Sequence, residues 1–596
     1  MTIQQILSKS VQSALRELYG TEASENQISL QKTRKDFIGD YTLVVFPLLK
    51  ISKKSPEDTA QILGNYLEEN CSEVKSYNVI KGFLNIELKD AYWSQLLKED
   101  NVQRLTASPT VSKPISYVVE YSSPNTNKPL HLGHIRNNLL GQSVADLLSY
   151  VGHKVYKVNL VNDRGIHICK SMLAWHKWGN GETPEVSGIK GDFLVGKYYV
   201  MFESAYQKQV KELISQGKTE DEAKKEAPLI KEAQQMLKAW EDNDAEIRQL
   251  WQKMNGWVLE GFEKTYKKLG INFHKTYYES ETYSEGKNMV AAGIENGFFN
   301  RKSDHSVWVD LKDEGLDEKL LLRKDGTSVY ITQDLGTAER RYNDFKADKY
   351  IYVVGNEQNY HFKVLKSILK KIGKSWHQGV EHLSYGMVEL PDGKMKSREG
   401  KVVDADILID EMILTAQKHT EDLGKTDKMG KEEAEDLFFK LAMGALKYYI
   451  LKVDPQKNMV FNPEESIDFN GHTGPFIQYA YVRSRSLKAK AEKLLPAYVD
   501  VDYSKTVLHD KERILLKRLH DFPEVITEAA EKYSPALLAN YMYEVAKEYN
   551  QFYHELPILK EPDLSISFMR LSISELCAKI IQKGMWLLGI SMPDRM

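Results

Sequence analysis

Two histidines three residues apart, His131 and His134, flank Leu132 and Gly133 at the end of the stretch SSPNTNKPLHLGH, with Lys128 just upstream. Three chemistries suit that grouping. The imidazoles could ligate a metal, but no third ligand stands nearby in sequence and the pair straddles a loop-to-helix junction. They could be surface residues with no shared task. Or they could bind an anion: Gly133 removes a side chain where a helix begins, so a phosphate can approach the unpaired N–H groups and the positive end of the helix dipole. Imidazole N–H groups would then donate to phosphate oxygens and Lys128 would add a mobile charge, without a Gly-x-x-x-x-Gly-Lys arrangement.

The surrounding elements must hold that turn. An apolar run near Ile115–Val119 predicts a strand over 116–121. Pro124 and Pro129 forbid a helix across the following loop. Periodicity predicts a helix from about His134 to Val151, and "KVYKVNLV" a second strand, which together make a βαβ unit. Upstream, a helix over Ile3–Tyr19 and alternating strand and helix patterns indicate a small α+β domain, ending in the Ser/Thr/Pro-rich "TASPTVSKP". Residues from about 185 to 270 read as a charged helical insertion with a solvated face. Strand patterns return at "HSVWVDL", "TSVYIT" and "KYIYVVG", the last leading into the helical "NYHFKVLKSILKKI". From about 430 onward the pattern is almost wholly helical.

At 596 residues the chain exceeds a single core, and 42% hydrophobic with 28% charged residues fits a soluble globular protein. No apolar run reaches membrane-spanning length, and the first residues lack a signal-peptide pattern. Three scattered cysteines form no CxxC, so the expectation is a reducing cytoplasm, with neither a disulfide framework nor a structural metal site. A net charge of −3 means any nucleic-acid contact relies on local basic faces.

"HLGH" resembles the first signature of class I aminoacyl-tRNA synthetases, and "LPDGKMKSREGKVV" (390–403) resembles their second, the KMSKS loop, far enough downstream to admit an inserted domain. The flanks are similar to the arginyl-tRNA synthetase family: "VVEYSSPNTNKPLHLGHIRNNLLG", "VYITQDLGTAERR", "YVVGNEQNYHF", "GHTGPFIQYAYVRSRS" and the ending "LGISMPDRM". The resemblance implies an α/β fold: a class I Rossmann-type catalytic domain over 111–445 with the insertion at about 185–270, an N-terminal α+β tRNA-binding domain over 1–110, and an all-helical anticodon-binding domain over 446–596. In open α/β sheets the nucleotide lies in the crevice at the carboxyl ends of the strands.

The same resemblance implies arginine contacts at Ser123, Asn125, His134, Tyr330, Asp334 and Gln358, with Glu120 facing the substrate ammonium. A guanidinium is a fork of donors with no acceptor, so a selective pocket needs carboxylate and carbonyl oxygens, and Asp334 suits the fork. ATP contacts are implied at Pro124, Asn125, Lys128, His131, Gly133, His134, His361, Met387 and Lys394. The loop Lys394-Met395-Lys396-Ser397-Arg398 joins the catalytic set, but Ser397 stands where the signature has its second lysine, a loss for which Lys128 is expected to compensate. Glu120 also departs from the family, where Asp is more frequent.

The implied reaction is activation of L-arginine by ATP to arginyl-adenylate, then transfer to the 3′ end of tRNA(Arg). Mg²⁺ would accompany ATP, no protein-bound metal is expected, and the chain would act as a monomer. Tyr479, Arg483, Arg485 and Lys488 carry the expected RNA-binding face. Two other classes share parts of the pattern, a small-molecule nucleotidylyltransferase and a non-catalytic RNA-binding paralogue. The basic helical C-terminal region speaks against the first, the intact histidine signature against the second.

Overall fold

The computed structural model describes residues 2–596 except 22, 35, 390, 392–402, 425–428 and 496–501. By backbone proximity the chain forms two compact units, one of residues 1–107, 484–522 and 547–580, the other of 108–483, 523–546 and 581–596.

In the first unit, the helix Ile3–Tyr19 begins where Thr2 and Gln5 cap each other reciprocally and ends at Gly20, whose φ of 64° suits a residue without Cβ. Its apolar stripe, Ile3, Leu7, Val11, Ala14 and Leu15, is buried. An antiparallel sheet orders its strands Ser29–Lys32, Tyr41–Val44, Phe83–Leu88 and Val74–Ile80. Helix Pro56–Asn70 packs on it through Gly64, where a Cβ would meet the Tyr77 ring at 2.4 Å. The expected α+β module is therefore present.

The second unit is built on a parallel sheet of strands β1 (Ser116–Glu120), β2 (Lys154–Val161), β3 (Lys275–Tyr278), β4 (Lys349–Gly355) and β5 (Val380–Tyr385), in the order β5-β4-β1-β2-β3. The order reverses between β1 and β4, which opens a crevice at their carboxyl ends. Buried Val118, Val158, Tyr350 and Tyr352 supply part of its core, as expected where both faces of a parallel sheet are covered. Helix α1 (Leu132–Tyr150) joins β1 to β2 and completes the βαβ unit.

Two expectations are corrected here. "TSVYIT" is not a strand: the chain is extended only to Val329, and helix α2 (Tyr330–Phe345) begins at Tyr330. Ile331, Leu335 and Ala338 are buried on one side of it, so helical spacing outweighs the local β-branched composition. The insertion is also more than a solvated arm. Its helices Gly191–Ser215, Pro228–Glu241 and Ala245–Leu269 bury Leu194, Phe202, Trp240 and Phe262. Gly196 lies against the loop before α1, where an added Cβ would come within 3.0 Å of Pro129.

Candidate functional site

The loop leaving β1 is held in a strained path. Ser122 and Ser123 have φ of 80° and 46°, left-handed conformations that a non-glycine residue keeps only when its surroundings dictate them. They do so here. The Ser122 N–H donates to Asn137 Oδ1 at 2.5 Å, and its hydroxyl lies 2.6 Å from the Tyr266 hydroxyl. The Ser123 N–H donates to Asn159 Oδ1 at 3.0 Å. Asn137 Nδ2 then donates to the Val353 carbonyl at 2.7 Å, tying loop and helix to β4.

The histidines form the start of α1 itself. His131 is the N-cap: its Nδ1 accepts the Gly133 N–H at 3.1 Å, while His134 Nδ1 accepts the His131 N–H at 3.2 Å. The helix therefore starts two residues before His134, because an imidazole acts as its capping acceptor. With each Nδ1 accepting, the ring proton of a neutral imidazole must sit on Nε2, leaving that atom as a donor. Burial keeps the rings neutral. It pulls His131 down to about 4 with help from Lys128, and holds His134 well below its ordinary value, with His131 and Lys128 adding to the effect. Lys128 is likewise lowered by burial.

Ser123, His131, Gly133, His134 and Met387 line one cavity of about 420 Å³, floored by Val353 and Gly355 of β4. Pro124 is buried beside them. A second hollow of about 430 Å³ takes in Asn125 and Tyr330, with Arg164 and Glu279. Tyr330 is 79% exposed at the first position of α2. One turn on, Asp334 Oδ2 lies 2.5 Å from His361 Nε2, on helix α3 (Asn359–Lys371). Gln358 is exposed in the short turn between β4 and α3.

Glu120 is buried in an ion pair with Arg341 of α2, and its carboxyl accepts from the Ser123 hydroxyl at 3.3 Å. Arg341 is itself buried between the rings of Tyr277 and Tyr352, and a guanidinium there demands a carboxylate partner.

Lys394, Met395, Lys396, Ser397 and Arg398 lie outside the described residues. The chain just after them is described, and it runs beside the histidine turn. Leu132 N–H donates to the Val403 carbonyl at 3.1 Å, Ala405 N–H donates to the Leu130 carbonyl at 2.8 Å, and His131 and Asp404 form an antiparallel bridge. Residues 403–405, which follow the second signature in sequence, thus adjoin the first. On helix Gly474–Leu494, the Arg483 guanidinium lies 4.8 Å from the Tyr479 ring centre, Arg485 is exposed, and Lys488 pairs with Glu575 at 3.3 Å.

Several residues of the site were not singled out in the sequence. Asn137 has a periodic signal, since it lies one helical turn beyond His134 on the same face. Arg136, whose guanidinium donates to the carbonyls of Met387, Pro455 and Lys457 at 2.7–3.3 Å, has none, because its partners are distant in sequence. Glu279 has none either. Its carboxyl is pushed up to about 7 by burial, opposed by Arg164 and reinforced by Asp163 and Asp334. Asp334 also acts on Glu120, so three carboxyl groups share one electrostatic neighbourhood.

A reversed parallel sheet with a histidine-capped helix at its switch point is the catalytic architecture of a class I tRNA synthetase, and residues 94–463 match the family described as tRNA synthetases class I (R), catalytic domain. Residues 5–88 match the arginyl tRNA synthetase N terminal domain and 477–596 the DALR anticodon binding domain. Arginine–tRNA ligases of Bacteroides fragilis and Parabacteroides distasonis are 55% and 52% identical, each aligned over the whole of both chains. The Thermus thermophilus arginyl-tRNA synthetase shares the fold with a TM-score of 0.78 at 24% identity, all of both chains being covered. The chain belongs to the arginyl family of class I tRNA synthetases.

Proposed function

We propose that the protein is an arginine–tRNA ligase, forming arginyl-adenylate from L-arginine and ATP and passing the arginyl group to the 3′ end of tRNA(Arg). The observation that carries the choice of amino acid is Asp334, a one-third-exposed carboxylate one turn along α2 from Tyr330, which itself lines the hollow of about 430 Å³ with Asn125. A carboxylate able to accept two parallel N–H donors suits the guanidinium of a cationic amino acid.

In the first step an arginine carboxylate oxygen attacks the α-phosphorus, and the bond to the bridging oxygen breaks to release pyrophosphate. In the second, a hydroxyl of the terminal adenosine attacks the activated carbonyl and AMP leaves. Neither step needs a covalent enzyme intermediate. His131 and His134 offer Nε2–H donors to the phosphate oxygens while Gly133 leaves the helix start open to them. Lys128 and the 394–398 loop supply charge to the transition state. Asp334 takes the guanidinium, displacing its contact with His361, with Tyr330, Asn125, Ser123 and Gln358 completing the substrate contacts and Glu120, held by Arg341, setting the Ser123 hydroxyl. Pro124, His361 and Met387 border the nucleotide. Mg²⁺ comes with ATP; among the described residues no three metal-binding groups converge, and none is assigned to it.

Working domains are 1–110, 111–445 and 446–596, the last reading the anticodon through Tyr479, Arg483, Arg485 and Lys488. We assign a monomer acting in the cytoplasm. ATP–pyrophosphate exchange, run with each amino acid and with or without tRNA, tests the reading. Arginine-dependent exchange that requires tRNA(Arg) is expected, and exchange driven by another amino acid, or none with arginine, would refute it.

A further inference from the structure

One buried charge cluster in the catalytic unit joins the insertion to the edge of the site. Lys190, at the start of insertion helix Gly191–Ser215, reaches three partners with one ammonium: Asp406 Oδ2 at 2.6 Å, Thr265 Oγ1 at 2.7 Å and Asp192 Oδ2 at 3.0 Å. Those contacts use all three of its N–H donors. The Lys190 side chain is 18% exposed and Asp192 fully buried. Thr265 donates in turn to Asp406 at 2.8 Å, and Lys268 lies 3.3 Å from the other Asp406 oxygen. Lys190 opposes burial and holds the Asp406 carboxyl below its ordinary value.

Asp406 lies in the first turn of helix Ala405–Asp422, directly after the three residues that pair with the histidine turn. Ala405 N–H and the Val403 carbonyl bond to the backbone of Leu130 and Leu132, and Gly196, on the helix that Lys190 begins, lies against Pro129. The insertion thus contacts the histidine loop directly and also grips the strap beside it.

We propose that Lys190 is a positioning residue for the reaction: through Asp406 it fixes the strap 403–405, and through the strap it fixes the histidine-capped start of α1. It touches neither ATP nor arginine. The role rests on the ligase reading, and the isosteric neutral variant Lys190→Met separates it from a purely structural one. Misplacing donors by a fraction of an ångström acts on the transition state, so kcat for arginyl-adenylate formation should fall ~10–100-fold, while KM for arginine stays within about twofold. Asp406→Asn should do the same. Because both act through one contact, the double variant should be no more than about twofold slower than the slower single variant.

The full-length parent is first shown to charge tRNA(Arg). If it does not, the ligase reading fails and not this one. Given an active parent, kcat within about twofold of it for the single variants, a parallel rise in KM, or multiplicative losses in the double variant would each overturn the role. Should Lys190→Met prove insoluble, Lys268→Ala decides, since that side chain is 38% exposed and its removal leaves the rest of the cluster paired. A smaller fall in kcat, ~2–5-fold, with unchanged KM supports the role; an unchanged kcat overturns it.

Discussion

His131 caps α1, and in the proposed function it has a second role at a phosphate; one pair of substitutions can separate the two. Its Nδ1 caps α1 through the Gly133 N–H at 3.1 Å, and its Nε2–H remains to serve a phosphate. Asparagine is a strong N-cap and its Oδ1 can take over the Gly133 N–H, whereas alanine cannot. His131→Ala should therefore lose ~0.5–2 kcal/mol of local helix-start stability, and His131→Asn close to none. Both lose the phosphate donor, a deficit of ~2.7–4 kcal/mol in the transition state, or ~10²–10³ in kcat. The pH dependence gives a third reading. The folded imidazole is held down to about 4, against ~6.5 in the unfolded chain. A neutral form favoured by folding contributes its stability fully above pH ~6.5 and loses it as pH falls toward 4, at most ~3 kcal/mol and less where solvent screens the ring. Thermal unfolding of the parent should thus fall more steeply between pH 6.5 and 4.5 than that of His131→Asn. Amide exchange at residues 133–135, single-turnover adenylate formation and melting against pH supply the three measurements. Equal kcat for parent and His131→Asn, or equal exchange protection in the two variants, would refute the division of roles.

Asp334→Asn keeps the side-chain shape and removes the charge. Asp334 is one-third exposed, so losing its charge-assisted bond should raise KM for arginine by ~1.5–3 kcal/mol, about 10- to 150-fold; an unchanged KM would remove Asp334 from the pocket. Neutralising Arg483 and Arg485 together should lower the salt slope of tRNA binding by ~1–2 units, and a slope equal to the parent's would put the RNA elsewhere. Lys128→Ala should cost ~2–4 kcal/mol in kcat with little change in KM for ATP, with Lys396→Ala milder; the reverse ranking in a single-turnover assay returns the role to the 394–398 loop.

The parts of the site legible in the sequence are those whose logic is local. A glycine and two histidines at a strand-to-helix junction announce an anion site, and the helix Ile3–Tyr19 has the bounds its pattern predicts. Tyr330 and Asp334 carried a readable spacing but a misread element: "TSVYIT" is rich in β-branched residues, yet a helix starts within it at Tyr330, where Ile331, Leu335 and Ala338 are buried. Partnerships between distant residues left no such trace. Nothing near Glu120 foretells that Arg341 claims it, and nothing near Lys190 points to Asp406. In both pairs a buried charge is satisfied by an element brought close only by the fold, and the pattern of either segment alone is that of an ordinary polar position.

That distinction bears on how one crevice can accept both a polyanion and a cation. Counted from the sequence, the histidine loop looks strongly basic, with Lys128, His131 and His134 within seven residues. Folded, its histidines are neutral and its lysine is weakened, all by burial. The site thus meets ATP with oriented N–H dipoles and the helix N-terminus rather than with a block of fixed positive charge, which would repel an arginine side chain a few ångströms away. Glu279 behaves in the complementary way. Glu279, pushed up to about 7 by burial with Asp163 and Asp334 adding, is partly protonated at neutral pH and sheds that proton most readily when a cation arrives beside it. One half thus binds its anion through neutral donors, while Glu279 gains its full charge only as a cation arrives, so the empty pocket avoids an uncompensated charge in a buried setting.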